Sequence, residues 1–162
     1  VADGSNTVQY TGLLSTPAGL YLFWTEENGS SIPQLRARRH DGSAWRLVDG
    51  AGDTGLNYDT GRDAGYDMPA PALVDGQVTV AFVEEASSLA LQLRVVGEDE
   101  TVDTPTWRSI DGGTSEGLNV DPSTYDALEP VATDFNGDLV IVWIEQPGAV
   151  APDYNVRVIR GE

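Results

Sequence analysis

Cysteine and lysine are both missing from this chain of 162 residues, and histidine and methionine occur once each. Without cysteine there are no disulfides, thiolate metal sites or cysteine nucleophiles, and the redox compartment goes unmarked. Without lysine, all nine basic residues are arginines, and they face 26 Asp and Glu for a formal net charge of −17. A surface of that sign repels phosphate backbones and anionic membranes, which sets aside nucleic acid and membrane as partners. No run of 18 or more apolar residues occurs, no charged-then-apolar leader is visible at Val1, and no segment sustains a 3.6-residue apolar period. The sequence therefore encodes neither a membrane-spanning helix nor a helical solenoid.

What the chain does contain is turn chemistry. Eighteen Gly and nine Pro punctuate stretches rich in Val, Leu and Thr, the pattern of short strands joined by many turns. The apolar residues fall in regular strands, which separates the chain from acidic disordered ones. The length suits one domain, 1–162, with a core of its own.

The strands repeat. "GLNYD" at 55–59 returns as "GLNVD" at 117–121, and three apolar runs close on an aromatic and a Glu: "GLYLFWTE" at Glu26, "QVTVAFVE" at Glu84 and "DLVIVWIE" at Glu145. Apolar residues on both alternating faces of each run predict strands covered on both sides. A second strand follows each run: "QLRARRH" from Gln34, "QLRVVGE" from Gln92 and "NVRVIRGE" from Asn155. A third follows in two units, around Trp45 and Trp107. Another precedes each run, at 8–14, 70–74 and 129–134, with "VDGQ" and "FNGD" as hairpin turns in the second and third units. Each unit is thus an antiparallel meander of four strands in about 60 residues, the size of a propeller blade. The units span roughly 8–50, 69–112 and 128–162 on that repeat length.

These landmarks resemble those of the short-repeat β-propellers of bacteria and archaea, including three-blade sequences from hypersaline-lake metagenomes. The resemblance covers nearly the whole chain. It implies an all-β fold with three four-stranded antiparallel blades. By analogy it favours an extracellular or cell-surface location. The acidic, lysine-free composition is similar to that of proteins from salt-loving organisms. Gly55-Leu56-Asn57 and Gly117-Leu118-Asn119 would then mark crossings between blades, with Gly and Asn suited to a left-handed backbone and Leu tucked between blades.

Propellers close with about four to eight blades, so three need company, and two chains make a six-bladed homodimer. The third unit lacks an outer strand after Arg157. "VADG" at 1–4 is similar to "LVDG" at 47–50 and "SIDG" at 109–112, so it is expected to complete the last blade of a partner chain.

The chemistry-bearing residues are few. His40 has no clustered partner and precedes Asp41-Gly42-Ser43, a solvated turn, and no Ser or Thr sits in a nucleophile elbow. Glu26, Glu84 and Glu145 recur with Arg36, Arg94 and Arg157 on the next strand. Recurrence in every unit suits a structural cross-strand pair better than one asymmetric catalytic site. "HDGSAW" and "VDTPTW" resemble the Asp boxes of sialidase-like propellers, but the Asp-to-Trp spacing is one residue short and the second lacks the glycine. "DFNGD" spaces Asp134, Asn136 and Asp138 like calcium ligands, but an Asn-Gly hairpin explains it and no bidentate Glu follows. No cofactor, metal or enzymatic activity is expected. The leading expectation is a non-catalytic scaffold or interaction module assembled by homodimerisation. The alternative is a lectin-like propeller. Arg, Glu and aromatic residues hold sugars in such lectins, and Glu26, Arg36 and Trp45, Glu84, Arg94 and Trp107, and Glu145 and Arg157 would make repeated weak glycan sites that gain by multivalency.

Repulsion among 26 carboxylates weakens the fold when it is unscreened. The thermal midpoint should therefore climb from dilute buffer to molar salt, and a flat or falling midpoint would reject the salt-adapted reading.

Overall fold

The computed structural model describes residues 7–49, 55–85, 91–98, 105–113, 117–120, 122–146 and 153–160. They form an all-β chain of three antiparallel sheets, each a meander in sequence order. The first holds β1 (Val8–Thr16), β2 (Gly19–Glu27), β3 (Pro33–His40) and β4 (Trp45–Leu47). The second holds β5 (Ala70–Val74), β6 (Gln77–Glu85), β7 (Leu91–Glu98) and β8 (Trp107–Ser109). The third holds β9 (Asp126–Phe135), β10 (Asp138–Gln146) and β11 (Asp153–Arg160). No helix among the described residues is long and apolar enough to cross a membrane.

The hairpins follow from local chemistry. Asp75-Gly76 joins β5 to β6 and Asn136-Gly137 joins β9 to β10, and in both dipeptides each residue has positive φ. That conformation matches the right-handed twist of the strands it connects. β9 begins at Asp126, three residues ahead of the expected "EPVATD". The extra length follows a register shift opposite Trp143 that lets the strand continue past Glu129 and Pro130. The third sheet has three described strands, and the expected fourth, residues 1–4 of another chain, lies outside the described residues.

Period-two alternation in the second strands decides how the sheets stack. Counting from Gly19, Gln77 and Asp138, the odd positions Tyr21 and Phe23 of the first sheet meet the even positions Val78, Val80 and Phe82 of the second. Ala81, an odd position of the second sheet, meets Leu139, Ile141 and Trp143, even positions of the third. Each sheet thus offers its even face to the preceding sheet and its odd face to the following one. Both faces of β6 are buried nearly throughout, which is why its sequence is a continuous apolar run rather than an alternation. The first strands also adjoin, β1 beside β5 and β5 beside β9. Gly12 lies so close to Pro69 that a Cβ there would sit 2.6 Å from its carbonyl oxygen.

Candidate functional site

The recurring residues gather at the crossings between sheets, where they bind the protein to itself. Gly55 and Gly117 have φ of +63° and +59°, and a Cβ on either would lie 2.7 or 2.4 Å from the carbonyl oxygen of Leu35 or Leu93. Only glycine fits this approach. The next residue, Leu56 or Leu118, is buried and donates its N–H to that same carbonyl, at 2.8 and 3.0 Å. The asparagine then caps the strand edge. Asn57 Oδ1 accepts the N–H of Leu35 and Asn119 Oδ1 that of Leu93, both at 2.8 Å. Asn57 Nδ2 donates to Arg62 O at 2.7 Å, and Asn119 Nδ2 to Leu91 O at 2.9 Å and Tyr125 O at 2.8 Å.

The glutamate of the following sheet closes each latch. Glu84 accepts the N–H groups of Tyr58 and Asp59, both at 2.9 Å. Glu145 accepts Val120 N–H at 2.6 Å and the indole N–H of Trp143 at 3.0 Å. Glu26 accepts the indole N–H of Trp24 at 2.8 Å. Where the aromatic is Trp it supplies one donor to the carboxylate, and where it is Phe82 the loop supplies two.

The arginines correct the expected Glu–Arg cross-strand pairing. Glu26 faces Gln34 and Glu84 faces Gln92 in register, while Arg36 and Arg94 face Trp24 and Phe82. The guanidinium groups instead pair with the Asp of the outer Asp-Gly turn. Arg36 Nε lies 2.5 Å from Asp49 Oδ2, and Arg94 Nε 3.1 Å from Asp111 Oδ2, both aspartates being fully buried. Tyr58 lies over the Arg94 guanidinium with 4.1 Å to the ring centroid. Buried pairs of this kind are strongly destabilised when one partner is removed, because the other charge is stranded. Register also places Arg157 opposite Ile141 and Asn155 opposite Trp143, two residues away from the position that Arg36 and Arg94 occupy.

Trp107 packs edge-to-face on Phe23, with 6.0 Å between centroids, and donates its indole N–H to Val48 O. Trp45 is exposed and lies edge-on to His40 at 5.2 Å. In "HDGSAW", His40 Nδ1 accepts Gly42 N–H at 3.1 Å. Asp41 accepts Ser43 and Ala44 N–H groups and the Arg46 Nε–H. The Ser43 hydroxyl, then those backbone groups and Arg46, hold the Asp41 carboxyl well below the usual range. In "DFNGD", Asp134 Oδ2 accepts Gly137 N–H at 3.2 Å, a use internal to the hairpin. Among the described residues no group of three or more His, Asp or Glu is placed to hold a metal ion.

One cluster carried no signal in the repeat. The Tyr21 hydroxyl donates to Glu98 across the first junction, 2.9 Å to Oε2, and accepts from Arg39 at 3.5 Å, all three being buried. Burial, more than any neighbour, pushes the tyrosine up to about 12. Its repeat counterparts Thr79 and Val140 cannot reproduce it, so no pattern could have revealed it. Asp49 and Asp111, by contrast, recur in "VDG" and "IDG" and were visible as a repeat without a role.

Burial is the largest influence on Asp49, Glu84 and Glu98 and raises all three, against the opposing pull of Arg36, the latch N–H groups and the Tyr21 hydroxyl respectively. A carboxyl raised in the folded state adds stability that is complete below its unfolded pKa and is lost as pH rises through its folded pKa. The thermal midpoint should therefore rise as pH falls from above neutral towards the ordinary carboxylate range, and Glu84→Gln should flatten that slope. For the latch, Gly117→Ala should cost about 2 kcal/mol in thermal unfolding through positive φ and the clash with Leu93. Gly112→Ala, at φ +93° but with open space around it, should cost less.

No family model matches the chain, and no curated protein matches it. Among solved structures it is similar to the crystal structure of an alpha-L-arabinofuranosidase from Lactobacillus brevis, with a TM-score of 0.54 and 14% sequence identity. The match covers 98% of this chain and 50% of that one, so the chain spans half the length of this neighbour. At that identity the likeness is one of fold.

Proposed function

We propose that this chain is a non-catalytic β-propeller scaffold, three blades long, that works as half of a six-bladed ring closed by a second copy. The observation that carries the reading is the state of the two outermost faces. Leu20, on the even face of the first sheet, is 38% exposed, whereas its counterpart Val78 is 2% exposed at an internal junction. Phe135, which precedes the hairpin turn of the third sheet, is 64% exposed, whereas its counterpart Val74 is 8% exposed. Residue types that suit a covered face thus line the two faces where the array stops, and a patch of that kind marks an interaction surface. Six blades fall within the range of closed propellers, and three do not.

The repeated polar residues support the absence of catalysis. Glu84, Glu145, Arg36 and Arg94 all bond within the junctions, and an arrangement made more than once serves assembly rather than one asymmetric reaction. A lectin-like role is the second reading, favoured by the fold likeness to a glycosidase. It meets the difficulty that the same internal bonds occupy most of the side chains it would use. Saturable binding on a glycan array would favour it.

Light scattering in high salt should give about twice 17.3 kDa across working concentrations, because three blades alone leave two apolar faces in water. A stable folded monomer would overturn the half-ring.

A further inference from the structure

We propose that the two copies join head to tail: the even face of the first sheet of one copy docks on the odd face of the third sheet of the other, with Trp45 seated over Val142. This rests on the half-ring reading and adds its polarity and its central contact. Trp45 and Trp107 open the fourth strands of their sheets in the same register, opposite His40 and Glu98. Trp107 lies over Phe23, the fifth residue of the second strand in the preceding sheet. The fifth residue of the second strand in the third sheet is Val142. Trp45 is 39% exposed and Val142 36%, although each stands where an internal junction places a packed residue.

Volumes on the two faces compensate. The first sheet carries Leu20 and Leu47 where the second carries Val78 and Ser109. The third carries Val140 and Val142 where the first carries Tyr21 and Phe23. The larger residues of one face therefore meet the smaller residues of the other, which conserves the volume at the seam. Charge acts in the same direction. On the first sheet Arg36, Arg38 and His40 stand in register with the even positions Trp24, Leu22 and Leu20, whereas on the third sheet Asp138 is an odd position, Asp126 stands in register with the odd position Gln146, and Arg160 is opposite Asp138. Pairing first sheets would set the Arg36 and Arg38 faces against each other, whereas opposite pairing brings Asp126 and Asp138 towards them. Symmetry agrees as well, because a twofold head-to-tail pair makes two identical seams and covers all four open faces, while pairing first sheets alone leaves both third sheets bare.

The test is complementation between surface variants whose folds are checked by circular dichroism. Trp45→Glu and Val142→Arg should each lower dimer affinity at least tenfold when measured alone by light scattering, with Leu20→Glu as a second first-sheet variant. An equimolar mixture of Trp45→Glu and Val142→Arg should dimerise again, because one of its two seams is then wild type and the other joins Glu to Arg. If Val142→Arg dimerises as tightly as the parent, or the mixture stays monomeric, the head-to-tail seam is overturned while a dimer of the parent keeps the half-ring. A monomeric parent overturns both.

Discussion

Each passage of the chain from one sheet to the next leaves backbone N–H and C=O groups inside the protein, and the rest of the structure depends on how those groups are paired. A strand edge is paired by the next strand, but a crossing loop has no ladder to join, and unpaired buried polar groups are costly. The chain meets this with a three-residue device. Glycine permits contact with the third strand of the sheet being left, leucine returns an N–H to it, and asparagine imitates a further stretch of strand edge. A glutamate from the sheet being entered then takes the N–H groups that follow. One short segment is thereby bonded to two sheets at once, and the spacing of the sheets is set by hydrogen bonds as well as by apolar packing.

This accounts for the placement of charge in so acidic a protein. The carboxylates that recur at fixed positions are buried and internally bonded, and two of the nine arginines, Arg36 and Arg94, are drawn to buried aspartates in the outer turns. Glu98 apart, the other acidic residues whose burial is described are exposed or half-buried. Burial of Asp49, Glu84 and Glu98 opposes ionisation, so these three sites, Glu84 of the first latch among them, hold the sheets less firmly as pH rises. Of the side chains most suggestive of ligand recognition in the sequence, Glu26, Glu84, Glu145, Arg36, Arg94 and Trp107 are bonded within the protein itself.

An array built by repetition is complete only when its ends are covered. Within the chain each even face meets an odd face. The same rule, extended past the last sheet, asks for another sheet of the same kind, which in the proposed half-ring a second copy of the chain would supply. The first and third sheets depart from the second in residue size and charge at the positions where such a seam would form, as expected if those faces answer to each other.

Much of this was legible in the residues. The apolar runs ending at Glu26, Glu84 and Glu145, the Asp-Gly and Asn-Gly hairpins and the returning Gly-Leu-Asn determined the strands, their order and the places where the chain crosses between sheets, because turn chemistry and period-two alternation act locally. Partners set by long-range register were not legible. Arg36 and Glu26 look like a pair in sequence, yet register puts Gln34 opposite Glu26 and leaves Arg36 to Asp49. Arg157 looks like a third member of its series, yet a two-residue offset sets it opposite Ile141. The Tyr21–Glu98–Arg39 cluster joins residues far apart in the chain and occurs once. The sequence by itself determined which segments are strands and where they turn. Only the tertiary structure decided which charges meet, because that depends on the register and stacking of whole sheets, where a shift of one residue turns every side chain to the other face.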